Sequence, residues 1–273
     1  MTTAQGTTLD EIAFQKDNTY ISPGTLKFVA GSIYIPKDNP SKPQGEDDHF
    51  MLPEFQAFGV ADGVGGWSRK GIDSGEYSRQ LMHNTTDSIK RQMNDKGSVD
   101  PKTALHEAFA KTEVKGSSTA CIIALHKNRL HAVNVGDSGF VHFRHGKIIY
   151  RSPIQQYEFN CPYQLEKGNR DIDLAEEIER DVSSGDIIVA GTDGLFDNVH
   201  NEELEQLVRE GEENSQSSEI LACKIADFAL KQAMNKWAVT PFAVESVKNG
   251  NIGRIGGKMD DITVIVARLF PAE

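Results

Sequence analysis

Five short acidic motifs stand out in this 273-residue chain: Glu46-Asp47-Asp48, Asp62-Gly63, Asp137 in VNVGDSG, Asp193-Gly194 in VAGTDG, and Asp260-Asp261 ahead of ITVIV. They sit at the edges of short apolar runs or in adjoining loops, so their carboxylates fall at one rim of a sheet. Converging carboxylates are costly: two unit charges about 4 Å apart at an effective dielectric near 20 repel by about 4 kcal/mol. A bound hard cation removes that cost. Carboxylate, carbonyl and water ligands suit Mg²⁺ or Mn²⁺ rather than Zn²⁺. A glycine after Asp lets a backbone carbonyl approach an ion without a side chain in the way. Taken singly, each motif also reads as an ordinary turn, because Asp-Gly is a common turn dipeptide. Five with the same placement argue for a shared site.

Other chemistries find little support. The eight histidines show neither HxxxH nor HExxH spacing. His49, beside the acidic pair, is the one to keep in view. DGVGG lacks the GxGxxG and GxxxxGK[ST] patterns of nucleotide sites. Ser138 lies in no GxSxG elbow. Cys121, Cys161 and Cys223 form no CxxC pair and read as free thiols in a reducing compartment. Composition narrows the classes further. The net charge of −11 makes the chain a poor partner for nucleic acid or anionic membranes. Hydrophobic residues at 38% and charged residues at 25% exclude disorder. No apolar run approaches the ~18 residues of a membrane span.

The elements that must position the acids are short. LKFVAGSIYI (26–35) alternates as a strand and FQAFGVAD (55–62) is a second. PKDNPSKPQGEDDHF between them reads as a loop. Residues 74–93 have helical spacing with Ser74 as cap, and Asp100-Pro101 opens a helix through Lys111. Runs at 118–125, 129–136, 140–143 and 147–151 read as an antiparallel meander. The stretch 152–168 fits neither period. Residues 185–194 are again a strand, 202–211 and 217–235 helices, 238–258 irregular, and 261–269 the closing strand. Two groups of strands with helices between and after imply an α+β layered domain rather than a parallel fold.

FGVADGVGGW, VNVGDSG, VAGTDGLFDNV and GGKMDDITVIVARL, in this order, resemble the metal-dependent PPM, or type 2C, protein serine/threonine phosphatases. The match spans about residues 26–269. DGVGGW, QQYEFNCPYQL and TPFAVES followed by GGKMDDIT resemble the Ptc7-like branch, the T-cell-activation protein phosphatase homologue group. The resemblance implies a four-layer α-β-β-α sandwich over 26–270, behind an N-terminal extension of 1–25. It also implies hydrolysis of phosphoserine or phosphothreonine on proteins by a hydroxide bridging two Mn²⁺ or Mg²⁺ ions. Asp62 is then expected to bridge both ions, Gly63 to lend its carbonyl, and Asp193 and Asp260 to complete the ligand set. Glu46 and Asp47 match the pair that holds metal-bound waters. Asp137 matches an Asp that in some members joins Asp193 around a weak third ion. Asp260 is chosen over Asp261 because the family ligates through the first member of that pair.

Two departures bear on mechanism. Val64 stands where the family often has a histidine positioned as acid for the leaving group. Many members have a phosphate-binding arginine shortly before the acidic pair; here Lys42 stands four residues before Glu46, and a lysine is a point charge rather than a bidentate fork. The aromatic residues Trp67, Tyr157, Phe159 and Tyr163 read either as packing or as a cleft wall. The expected partner is a phosphoprotein and the expected state a monomer. MTTAQGTTLDEIAF has no signal or transit character, which points to the cytoplasm. The branch resembled is found in mitochondria and plastids, which is the alternative if a presequence has been removed. The rival reading is a pseudophosphatase, the same fold used as a regulatory binding module. The presence of Asp62, Gly63, Asp193 and Asp260 argues against it.

Overall fold

Ten strands pair, all antiparallel, into two five-stranded sheets in the computed structural model, which describes residues 25–272. The expected N-terminal extension therefore lies, apart from Thr25, outside the described residues. The first sheet runs in the order Leu26–Ile35, Ile262–Pro271, Ile187–Gly191, Gly139–Arg144, Lys147–Arg151. The second runs Glu176–Asp181, Arg129–Val135, Ala120–His126, Ala57–Asp62, Asp47–Leu52.

Period-two alternation explains why the sheets stack. In Ala57–Asp62, Phe58 and Val60 face the other sheet, while Ala57 and Ala61 face helices. In Ile262–Pro271, Ile265, Ala267 and Leu269 point between the sheets, and Ile262, Val264 and Val266 point outward to helices. Both strands are apolar on two faces, as strands covered on both sides must be. Phe28 of the first sheet meets Phe58 of the second edge-on, with ring centroids 5.1 Å apart. Helices Ser74–Lys96 and Pro101–Lys111 cover the second sheet through Leu81, Ile89 and Leu105. Helices Asn201–Glu213 and Ser218–Met234 cover the first through Leu204, Leu221 and Ile225. This is the four-layer sandwich that the family resemblance implies, and it fits the layered α+β reading of the residues.

Several local expectations need correction. The stretch read as a loop contains the edge strand Asp47–Leu52, in which only Asp47, Phe50 and Leu52 are buried. Two leading acids hide so short a strand. The four central runs are not one meander. Ala120–His126 pairs with Arg129–Val135 in the second sheet, and Gly139–Arg144 pairs with Lys147–Arg151 in the first. The chain changes sheet at Gly136-Asp137-Ser138, where Gly136 takes φ +98. Hairpin turns are local signals, but the choice of sheet is not. Asp73, not Ser74, caps the first helix by accepting the Gly75 N–H. The supposedly irregular stretch 238–258 holds the helix Pro241–Lys248, capped by the Thr240 hydroxyl with proline in its first turn. The strand Glu176–Asp181 escaped the sequence reading because four of its six residues are acidic.

Phe58 is fully buried between the sheets. Phe58→Ala is expected to destabilise the domain by about 3–5 kcal/mol, read from urea unfolding. A loss below about 1 kcal/mol would mean that the inter-sheet layer can collapse around the gap.

Candidate functional site

The acidic motifs reach one end of the sandwich by four routes. Asp62 ends a strand of the second sheet, and Asp137 lies at the change of sheet. Asp193 follows Ile187–Gly191, and Asp260 precedes Ile262–Pro271, both in the first sheet. These four carboxylates, with Gly63 and Val64, line a cleft of about 520 Å³.

Side-chain and backbone bonds hold each segment in place. Asp47 stands opposite Asp62 in the strand register. Its Oδ2 accepts the hydroxyls of Thr192 at 2.8 Å and Thr263 at 2.7 Å, which bolts the second sheet to the first. The Thr119 hydroxyl lies 3.3 Å from the Asp62 N–H and 2.7 Å from the Ser138 hydroxyl, joining Asp62 to the Asp137 segment. The Gly63 N–H donates to the Glu46 carbonyl at 3.0 Å. Its neighbours make the flanking ladder bonds, Thr119 N–H to Asp62 and Val64 N–H to Ser117, so the Gly63 carbonyl stands outside that ladder. A Cβ at Gly63 would come within 2.5 Å of the Ser74 carbonyl and 2.7 Å of the Glu46 carbonyl, so only glycine fits.

The two members of the Asp260-Asp261 pair do different things. Asp261 is buried and braces the loop before Glu46: it accepts the Lys37 N–H at 2.9 Å and the Glu46 N–H at 3.1 Å. Asp260 faces the cleft. Glu46 is buried, with one oxygen on Lys42 at 2.6 Å and the other on Lys37 at 2.9 Å. Lys42 also bonds the Ser68 hydroxyl and is not among the residues lining the cleft; Lys37, Arg69 and Lys258 are. His49 lies at 3.0 Å from the Ser32 hydroxyl, away from the cleft, with its pKa lowered by burial.

The sequence reading missed Lys258 and Asp197. The Lys258 ammonium bonds both Asp193 and Asp197 and lies 3.6 Å from Asp260. Burial works against its charge, but the three carboxylates outweigh that and hold it protonated. A lysine beside an Asp pair reads as solvated, so no local signal marks it. Of the aromatic residues, Phe159 meets Phe242 with centroids 5.0 Å apart in an adjoining pocket of about 320 Å³ that shares Asp137 and Asn160 with the cleft. Tyr157 leans on Tyr163. Trp67 donates to Ser117 and lines a separate recess.

Electrostatics favour a cation here. Burial and then Asp193, Asp47, Asp260 and Asp137 push the Asp62 pKa well above the carboxylate range. Asp137 is raised by burial and Asp193. Among the described residues, no three Asp, Glu, His or Cys side chains already stand together as a metal shell. The donors nevertheless suit a hard ion: Asp47 Oδ1, Asp137 Oδ1 and Asp193 Oδ1 are buried and without a hydrogen-bond partner.

The chain is 37% identical over 270 residues to the protein phosphatase PTC7 homolog fig of Drosophila grimshawi, covering 90% of this chain and 86% of that one. It belongs to the PPM, or type 2C, family of protein serine/threonine phosphatases, in the Ptc7-like branch. A probable protein phosphatase 2C 55 of Arabidopsis thaliana is 47% identical over 244 residues, 89% of this chain and 52% of the relative. The PPM chain thus spans about half the length of several curated relatives it matches. The photosystem II phosphatase PBCP superposes with a TM-score of 0.81 at 31% identity, over 88% of this chain and 98% of that one. The catalytic domain of the phosphatase PstP, in complex with two manganese ions, shares the fold at TM-score 0.63 and 16% identity, over 90% and 100%. No family model matches the chain.

The pKa of Asp193 is pushed up to about 6 by burial, opposed by Lys258 and reinforced by Asp260 and Asp197. A carboxyl whose folded pKa lies above its unfolded value stabilises the fold below the unfolded value, and that contribution is lost as pH rises through about 6. With metal chelated, Asp193→Asn escapes this loss. Its melting temperature relative to wild type is therefore expected to rise between pH 5 and pH 7.5. A constant difference in paired melts would contradict the assignment.

Proposed function

We propose that this PPM chain hydrolyses phosphoserine and phosphothreonine monoesters on proteins with a pair of divalent cations, Mn²⁺ or Mg²⁺, held in the acidic cleft. The observation that carries the reading is the arrival of Asp62, Asp137, Asp193 and Asp260 in one cleft, three of them with pKa values raised by burial and by one another. When bound, such ions would supply Lewis acidity, lowering the pKa of a coordinated water and neutralising phosphoryl oxygens.

The chain's own residues have distinct tasks. Asp62, the Gly63 carbonyl, Asp193 and Asp260 are the proposed ligands. Asp47, with Oδ2 held by two threonines, keeps a buried, unpartnered Oδ1, the atom that would hold a metal-bound water. Glu46, closed off by two lysines, braces the loop in front of the cleft. For the phosphate, Arg69 is a better candidate than Lys42, because it lines the cleft and its guanidinium fork suits a bidentate grip. The pocket beside the cleft, lined by Phe159, Phe196 and Phe242, offers an apolar seat for side chains flanking a phosphorylated residue. No helix among the described residues is long and apolar enough to cross a membrane.

Asp62→Asn keeps the shape but removes a shared charge. It is expected to lower kcat at least about a hundredfold, roughly 2.7 kcal/mol. Near-normal turnover in saturating Mn²⁺ would falsify the ligand assignment, and metal-independent binding of phosphoprotein without turnover would favour the regulatory-module reading. Mn²⁺ at 100 times its dissociation constant is expected to stabilise the fold by about 2.7 kcal/mol. An unchanged melting temperature in millimolar Mn²⁺ would sink the proposed metal centre.

Val64 lines the cleft and offers no proton. A Ser alkoxide needs one on leaving, whereas p-nitrophenolate does not. Val64→His is expected to raise kcat/KM for a phosphoserine peptide relative to p-nitrophenyl phosphate, by less than the ~10²–10⁴-fold of ideal acid catalysis. Equal changes for both substrates across the pH range would show that residue 64 does not govern leaving-group protonation.

A further inference from the structure

Lys258 is held at both its backbone and its ammonium. Its N–H donates to Asn198 Oδ1 at 2.9 Å, and its carbonyl accepts Asn198 Nδ2 at 2.8 Å. Asn198 is fully buried and also donates to the Gly194 carbonyl, so residue 258 is fastened to the turn that carries Asp193. The ammonium donates to Asp193 Oδ2 and Asp197 Oδ2, faces Asp260 and lies 5.2 Å from the centre of the Phe242 ring. Two buried oxygens close to this arrangement, Asp137 Oδ1 and Asp193 Oδ1, have no hydrogen-bond partner. Asp193 is therefore divided: one oxygen belongs to Lys258 and the other is left for the cleft.

We propose that the Lys258 ammonium is a resident cation that permanently fills the nook between Asp193 and Asp197 and so limits the cleft to two divalent ions. The inference rests on the metal-centre reading above. A lysine is a fixed charge on a tether, and neither dilution nor a chelator removes it. Without it, Asp193 and Asp197 would keep only the weaker pull of Arg151 on Asp197, and with Asp137 they form a set of hard oxygen donors suited to one more divalent ion. Arginine would keep the charge, whereas methionine keeps approximate length and loses it.

The test counts ions rather than turnover. Mn²⁺ bound per chain is measured by equilibrium dialysis and calorimetry for the wild type, Lys258→Arg, Lys258→Met and Lys258→Met/Asp197→Asn. The wild type and Lys258→Arg are expected to saturate at two ions. Lys258→Met is expected to take a third, at least tenfold more weakly, and the double variant to return to two. Two ions in Lys258→Met, or three in the wild type at millimolar Mn²⁺, would overturn the proposal while leaving the metal centre standing. No ion in the wild type would remove the metal centre itself. Should Lys258→Met fail to fold, amine-reactive labelling of wild-type Lys258 followed by mass spectrometry decides the matter. Labelling that stays low when Mn²⁺ is added supports a resident ammonium. Labelling that rises on adding Mn²⁺ would show a placeholder that leaves, and would overturn it.

Discussion

Mutual repulsion among carboxylates gathered at one end of the sandwich is the constraint the rest of the molecule answers to. Asp62, Asp137, Asp193 and Asp260 line one cleft, with Asp47, Asp197 and Asp261 close by. Left to themselves, these charges would push the two sheets apart at that end. The inter-sheet apolar layer, with Phe28, Phe58 and Phe140 at its centre, opposes the push. So do the threonine bolts from Asp47 to Thr192 and Thr263, and the brace from Asp261 to the loop before Glu46. Lys37, Lys42 and Lys258 supply fixed positive charge where hydrogen bonds alone would not suffice.

Much of this was legible in the residues. Asp at the end of an apolar strand and Gly after it are local signals that mark Asp62-Gly63 and Asp193-Gly194, whereas the family resemblance separates Asp260 from Asp261; Asp62, Gly63, Asp193 and Asp260 do line one cleft. Within Asp260-Asp261, just ahead of the strand Ile262–Pro271, one side chain turns into the cleft and the next braces the loop before Glu46. What escaped was non-local or disguised. The edge strands Asp47–Leu52 and Glu176–Asp181 are acid-rich and only partly buried, so their sequences resemble loops. The change of sheet at Asp137 depends on which strand Gly139–Arg144 joins, and no turn residue specifies that. Lys258 and Asp197 meet across about sixty residues, and their pairing has no sequence period to announce it.

The position of Lys42 shows how a motif transfers in place and changes in use. It stands shortly before Glu46, near where many family members carry an arginine, yet its ammonium is held by Glu46 and Ser68. Lys37 and Arg69, which no motif marked, line the cleft, and Lys37 and Lys258 both stand against Asp260.

The bolts between Asp47 and the two threonines carry a consequence for how the protein comes apart. Each half of the acidic cleft is anchored in a different sheet, and each sheet has its own pair of helices. In the proposed metal centre, cation binding and sheet docking are then two readings of one equilibrium, because ligands carried on both sheets can grip an ion only while the sheets stay docked. An agent that shears the halves, such as heat, pressure or a void at Phe58 between the sheets, is expected to lower cation affinity together with stability.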